Sequence, residues 1–255
     1  MSPLHLACIR SWLRCGHAVT LYSYEPVRNA PERVVIKDAR SIISKEYSKF
    51  LIPFRWPDRE IIQPIISLSD LLRMKGMELG LGCWLDTDVF LLRPVSYELD
   101  KLHLAWEQTG LLERKKVGVS IMYLPPNHSI VSDYLNVLKL PDLMPDWLGF
   151  RRRYIKTLSW RLRGLKFCAV DISITAYGNL ALRKLVKRHS VQRALSPKSF
   201  YYHWIGNETH RFFTDPNGEE VLRNANCVGI HVHRKSLINA PVVPGSLYDT
   251  ALRLE

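Results

Sequence analysis

The stretch from Ser67 to Val95 constrains this chain most. It sets two carboxylates, Asp86 and Asp88, between two apolar runs, Cys83-Trp84-Leu85 and Val89 to Leu92. Upstream, Leu68, Leu71, Leu72, Met74, Leu79 and Leu81 recur at helical spacing and predict a helix over 67–82. Ser67 or Ser69 would cap it, Asp70 would sit in a first turn where negative charge suits the helix dipole, and Gly80 and Gly82 would end it. The apolar triplet that follows reads as a short strand running into Asp86-Thr87-Asp88, with Pro94 closing the second apolar run.

Side chains at i and i+2 of an extended chain point the same way, so Asp86 and Asp88 are expected to converge. Two anions held close repel and raise a pKa unless a cation sits between them, and hard divalent cations take oxygen ligands. D-x-D is also a common surface tripeptide. Its place at the end of a predicted strand favours function, because open α/β sheets bind ligands there.

Ser69-Asp70-x-x-Arg73, a glycine-containing turn and Trp84-Leu85-Asp86-Thr87-Asp88 together resemble the sugar-binding region of D-x-D glycosyltransferases. These are glycosyltransferase family 32 and the related bacterial capsular and lipopolysaccharide transferases. The opening is similar as well, in Ser2-Pro3-Leu4, Arg10-Ser11-Trp12 and Gly16-His17-Ala18-Val19-Thr20-Leu21-Tyr22-Ser23-Tyr24. The resemblance implies one α/β domain over 1–255 with the GT-A fold and a mixed central sheet. It implies a UDP- or GDP-sugar donor, Mn2+ or Mg2+ as cofactor, and retention of anomeric configuration. Asp70, Arg73 and Asp86 would bind the donor, Asp86, Asp88 and Arg73 would carry the catalysis, and Asp88 would hold the metal. The family places a first strand before the opening helix, whereas Met1 stands directly before it here, so the expected fold is short of that strand.

Further along, Cys227 to Arg234 reads as a short strand with alternating histidines. His231 matches the family histidine and is expected at the metal, while His233 replaces the family tryptophan. In the strand predicted over 117–124, Val119-Ser120-Ile121 replaces the usual asparagine segment, which leaves Ser120 a weak candidate.

The rest of the chain reads as alternating α and β elements. A helix over 3–16 with Pro3 in its first turn and Gly16 at its end precedes strands at 17–24 and 34–36. His17, between a helix-ending glycine and a strand, reads as a residue that fixes a turn. Pro53, Pro57 and Pro64 predict loops over 45–66, where Lys45, Lys49, Arg55 and Arg59 read as a solvated basic face. A strand is expected over 102–107, helices over 128–138 and 180–189, and a tail with a last short helix over 236–255.

Arg151, Arg152, Arg153, Lys156, Arg161, Arg163 and Lys166 occur with no acidic residue over 151–166, interleaved with Tyr154, Ile155, Leu158, Trp160, Leu162 and Leu165. Such a basic amphipathic segment is read first as an exposed helix packing one face on the domain. A segment lying on an anionic bilayer follows closely, and a nucleic-acid contact is third. The formal net charge of +12 points the same way, toward an anionic partner. No nucleic-acid-binding motif accompanies it, so no specific nucleic acid is expected.

No apolar run reaches the length of a membrane span, and no leader pattern opens the chain. Cys8, Cys15, Cys83, Cys168 and Cys227 are scattered, which fits reduced thiols rather than a disulfide framework. The expected place is therefore the cytoplasm, at the inner face of the membrane. The combined expectation is a metal-dependent hexosyltransferase in surface polysaccharide synthesis with a glycan or lipid-linked acceptor. The alternatives are a basic membrane- or nucleic-acid-binding protein and an inactive transferase homologue. A phosphatase of the haloacid dehalogenase type fits less well, because Phe90 stands where that motif needs Thr or Val.

Overall fold

A computed structural model describes residues 1–107, 116–195, 201–202, 213–217, 228–232 and 242–253. The fold is mixed α/β. Helix α1 (Pro3–Arg14) starts where the Ser2 side chain accepts the His5 N–H and ends before Gly16, whose φ is +82°. Strands β1 (Val19–Ser23) and β2 (Val34–Asp38) pair in parallel, Val19 opposite Val34 through Ser23 opposite Asp38.

Short 3-10 turns at Lys45–Leu51 and Pro57–Arg59 lead into α2 (Ile62–Glu78). This helix begins five residues before the expected Ser67. Pro64 sits at its third position, where a missing N–H removes no intrahelical bond, so it does not act as a breaker. Ser67 and Ser69 are consequently interior residues, not caps, and Asp70 lies mid-helix, away from the dipole's positive end. The helix ends as expected, at Gly80 with φ +65°.

The remaining strands are β3 (Trp84–Leu85), β4 (Val89–Leu91), β5 (Trp106–Glu107), β6 (Lys116–Val117), β7 (Ile121–Met122), β8 (Tyr201–Tyr202) and β9 (Gly229–His231). The remaining helices are α3 (Ser129–Leu135), α4 (Leu158–Leu162), α5 (Ala169–Ile172), α6 (Asn179–Arg188) and α7 (Leu247–Arg253). The single mixed sheet expected from the sequence is replaced, among the described residues, by four small sheets: β1-β2, β3-β7, β4-β9-β8 and β5-β6. Both parallel and antiparallel pairs occur. The strand expected over 117–124 is divided between two of these sheets, because β6 turns to β5 while β7 turns to β3.

Strand β4 is apolar throughout because both its faces are covered. Phe90 packs with Leu4, Phe213 and Tyr248, whereas Val89 and Leu91 pack with Ile9, Trp12 and Ile121. Two hydrogen bonds tie α1 to this strand: Trp12 Nε1–H donates to Val89 O at 2.7 Å, and Leu91 N–H donates to Ser11 Oγ at 2.8 Å. A third cluster joins α2, α3 and α6 through Leu71, Met74, Tyr134 and Leu185. The C-terminal segment is not a loose tail. Leu247, Tyr248 and Ala251 of α7 are buried in the α1 cluster, and Arg10 Nη1 donates to Leu252 O at 2.7 Å.

Candidate metal and donor site

Asp86 and Asp88 lie at the junction of two sheets. β3 ends at Leu85, β4 begins at Val89, and the Val89 N–H donates to Asp86 O at 2.9 Å, closing a tight turn around Thr87. The carboxylates therefore converge through a turn and not along an extended strand, as the spacing had suggested. Each flanking strand brings a neighbour. β7 pairs with β3, and the Asp86 N–H donates to Ser120 O at 2.8 Å. β9 pairs antiparallel with β4, setting His231 opposite Val89, and the Val232 N–H donates to Asp88 O at 2.8 Å.

Asp86 is held from the other side by α2. Arg73 Nη2 donates to Asp86 Oδ1 at 2.9 Å, and Trp84 Nε1–H donates to the same oxygen at 2.6 Å. The Arg73 guanidinium stacks over the Trp84 ring, 5.1 Å from its centroid. Two donors on one oxygen fix the carboxylate's orientation. Asp70, one turn before Arg73, pairs with Nη1 at 3.3 Å.

Asp70 is buried, and burial raises its carboxyl to about 6, with Arg73 opposing the rise and Asp86 adding to it. A Cβ at position 178 would stand 2.9 Å from Asp70 Oδ2, so Gly178 is needed for the close approach of the chain to this carboxylate. Asp70 does not line the adjoining cleft; it supports Arg73 from behind.

His231 Nε2 lies 3.2 Å from Asp88 Oδ1, and Ser120 Oγ lies 2.9 Å from His231 Nδ1. Burial pushes the Asp88 carboxyl up, but the His231 hydrogen bond and charge outweigh it and hold Asp88 below its usual range. Without a cation Nε2–H donates to Asp88; with one bound, Nδ1–H donating to Ser120 Oγ would leave the Nε2 lone pair for the metal, the arrangement that metal-ligating histidines use.

One ligand atom from each of Asp86, Asp88 and His231 lies within 4.8 Å of the others. Ligands on opposite sides of a Mg2+-sized ion stand about 4.2 Å apart, so the cluster fits a divalent cation after closing slightly. Two carboxylates and an imidazole are a donor set for a divalent cation.

The cluster opens into a cleft of about 900 Å3, bounded by β1, α2 and the Asp86-Thr87-Asp88 turn. Arg73, Trp84, Asp86, Thr87 and Asp88 all reach its wall, facing Thr20, Tyr22 and Tyr24. The expected residues Asp70, Arg73, Asp86, Asp88 and His231 are thus brought into one connected constellation.

His17 accepts the Val95 N–H at 3.0 Å through Nε2, the turn-fixing part read from its position. Lys45 and Lys49 are exposed and paired with Glu25 and Glu46. His233 and Cys227 lie outside the described residues. Sequence reasoning undervalued Ser120, which is fully buried and bonds both sides of the site, and gave Trp84 and Gly178 no part in holding it. Trp84 could have been found from its i, i+2 relation to Asp86. Nothing local marks Ser120 or Gly178.

Among the described residues no helix is long and apolar enough to cross a membrane, and Cys8, Cys15, Cys83 and Cys168 are free thiols. No family model, no curated protein and no solved structure matches the chain.

Proposed function

We propose that this protein is a metal-dependent glycosyltransferase of GT-A type, moving a sugar from a nucleoside diphosphate donor to a hydroxyl of a glycan or lipid-linked acceptor. The observation that carries the reading is the chain of contacts Asp70–Arg73–Asp86 beside Asp88–His231, in which Arg73, Asp86 and Asp88 reach the wall of one cleft while Asp70 and His231 hold them from behind. A cleft of about 900 Å3 is at the upper end for small-molecule sites and has room for a nucleotide-sugar.

In this reading Asp88, His231 and the free oxygen of Asp86 hold Mn2+ or Mg2+. The cation, when bound, neutralises charge on the diphosphate that departs. Arg73 adds a second fixed positive charge at the cleft wall, already oriented by two carboxylates and an aromatic face, so it needs no reorganisation as charge develops. Asp70 is a positioning residue that keeps Arg73 in place. Asp86 presents its remaining carboxylate lone pairs to donor hydroxyls. Tyr22 and Tyr24 across the cleft offer rings against which a base or sugar can stack. Ser120 orients His231 and, through its carbonyl, the Asp86 backbone.

The reading is tested by calorimetric titration of UDP and GDP, each with and without Mn2+, into the wild-type protein and Asp88→Ala. Metal-dependent binding of one nucleotide, lost in the variant, is the expected result. Binding that ignores both the metal and Asp88 would sink it.

A further inference from the structure

The segment 150–166 does not do what a helix packed on its domain does. A π-helical turn at Arg151–Ile155 and helix α4 turn Thr157 inward, with Trp160 partly covered against Phe167. The larger apolar side chains face the other way. Phe150 is 71% exposed, Ile155 59%, Leu158 53% and Leu162 79%. Ile155, Leu158 and Leu162 follow helical spacing, so they form one outward stripe, and the Phe150 ring lies 4.9 Å from that of Tyr154 at its edge. An apolar stripe turned to water costs free energy unless something covers it.

The charges around the stripe identify its cover. A second cleft of about 730 Å3 adjoins it, lined in part by Phe150, Arg151, Arg152, Ile155, Lys156 and Lys184. Four cations and no acidic side chain line this cleft. None of the four meets a carboxylate within ion-pair distance among the described residues. Lys184 is held below its usual range by partial burial and by the charges of Arg152, Arg183 and Lys187, as in a site built to receive an anion. The Arg153 and Arg161 guanidiniums lie over the Tyr154 ring, 5.6 and 5.5 Å from its centroid.

We propose that this surface docks the protein on an anionic lipid bilayer, with Phe150, Ile155, Leu158 and Leu162 entering the acyl boundary and Arg151, Arg152, Lys156 and Lys184 receiving lipid phosphates. Apolar side chains ringed by uncompensated cations match the two layers of a membrane interface, phosphate outside and hydrocarbon within. A nucleic-acid backbone would use the cations and leave the aliphatic stripe in water. The surface also touches the rim of the main cleft. The Arg55 guanidinium stacks 5.2 Å over Trp160, the Arg55 N–H donates to Asp171 Oδ1, and Gln63 donates to Ile174 O. The same 52–66 segment supplies Ile61 and Ile65, exposed residues of the cleft wall. The docking surface stands independently of the chemistry proposed for that cleft.

The test is co-sedimentation of the full chain with vesicles of phosphatidylcholine alone, or of phosphatidylcholine with phosphatidylserine. Two variants accompany it, Arg151→Gln/Arg152→Gln/Lys156→Gln and Leu158→Ser/Leu162→Ser, each verified as folded by circular dichroism. The wild type is expected to bind the anionic vesicles preferentially. Each neutralised cation is expected to weaken partitioning about fivefold, or roughly a hundredfold for the triple variant. The serine variant is expected to lose binding at low and high salt alike. Equal binding to both vesicles, or to neither, overturns the proposal. So does a serine variant that binds like wild type, or displacement by polyuridine that depends on the arginines and not on the leucines.

Discussion

Replacing Arg73 with methionine tests how the site is held. The Arg73 side chain is 6% exposed and stands between Asp70 at 10% and Asp86 at 21%. Removing one partner of a buried ion pair typically costs about 3–5 kcal/mol, because the remaining charge stays buried without compensation. Two features place this case at the low end. Asp86 keeps the Trp84 N–H and partial access to water, and Asp70 already has a carboxyl at about 6 that takes up a proton once its cation is gone.

The expected loss is therefore about 3 kcal/mol. With a urea slope of about 3 kcal/mol per molar, the unfolding midpoint falls by about 1 M. The pH dependence has a definite sign. A carboxyl raised above its unfolded value contributes stability at low pH that is lost as pH climbs through the folded pKa. The deficit of Arg73→Met should accordingly shrink as pH is lowered from 7 toward 5. Adding Asp70→Asn should recover part of it, since the two sites are in contact. A loss below about 0.5 kcal/mol, as for an ordinary surface substitution, would refute the claim that Arg73 anchors both carboxylates.

Three further outcomes follow from the same contacts. Ser120→Ala should weaken divalent metal binding about 10–100-fold by freeing the His231 ring, measured by calorimetry; unchanged affinity would remove Ser120 from the site. Ser11→Ala takes the acceptor from the buried Leu91 N–H and should destabilise the protein by about 1–3 kcal/mol in urea unfolding. Asp133 accepts from Arg188 at 2.9 Å and His189 at 3.0 Å, joining α3 to α6, and these contacts outweigh burial and depress its pKa. Its contribution is present above the unfolded carboxylate value and lost as pH falls through the lower folded one. Asp133→Asn should thus cost about 0.5 kcal/mol at neutral pH, the partly exposed pair being screened, with the difference from wild type vanishing in thermal melts below about pH 4.

The elements best legible in the sequence are those whose ends carry local chemistry. Pro3 and Gly16 bound α1, and Gly80 ends α2, because a proline in the first turn and a positive φ are decided within a few residues. The start of α2 was hidden by Pro64, which reads as a breaker unless its position relative to the first turn is known. Asp86 and Asp88 stood out by composition and context, yet the way they converge depends on a turn between two sheets. That turn is fixed by the distant partners β7 and β9. Ser120 and Gly178 matter only through what β7 and the loop before α6 are placed against, which no local pattern records. The segment 151–166 was recognisably amphipathic, but which face turns outward is set by Trp160 and Thr157 finding cover on the domain.

The central claim is that Asp86, Asp88 and His231 form one divalent metal site. Electron paramagnetic resonance of free Mn2+, titrated with the protein, addresses it most directly. The account predicts that the signal is quenched at one ion per chain, that Asp88→Ala restores it, and that His231→Ala does so in part. Quenching that survives Asp88→Ala, or a signal that the wild-type protein leaves unchanged, would contradict it.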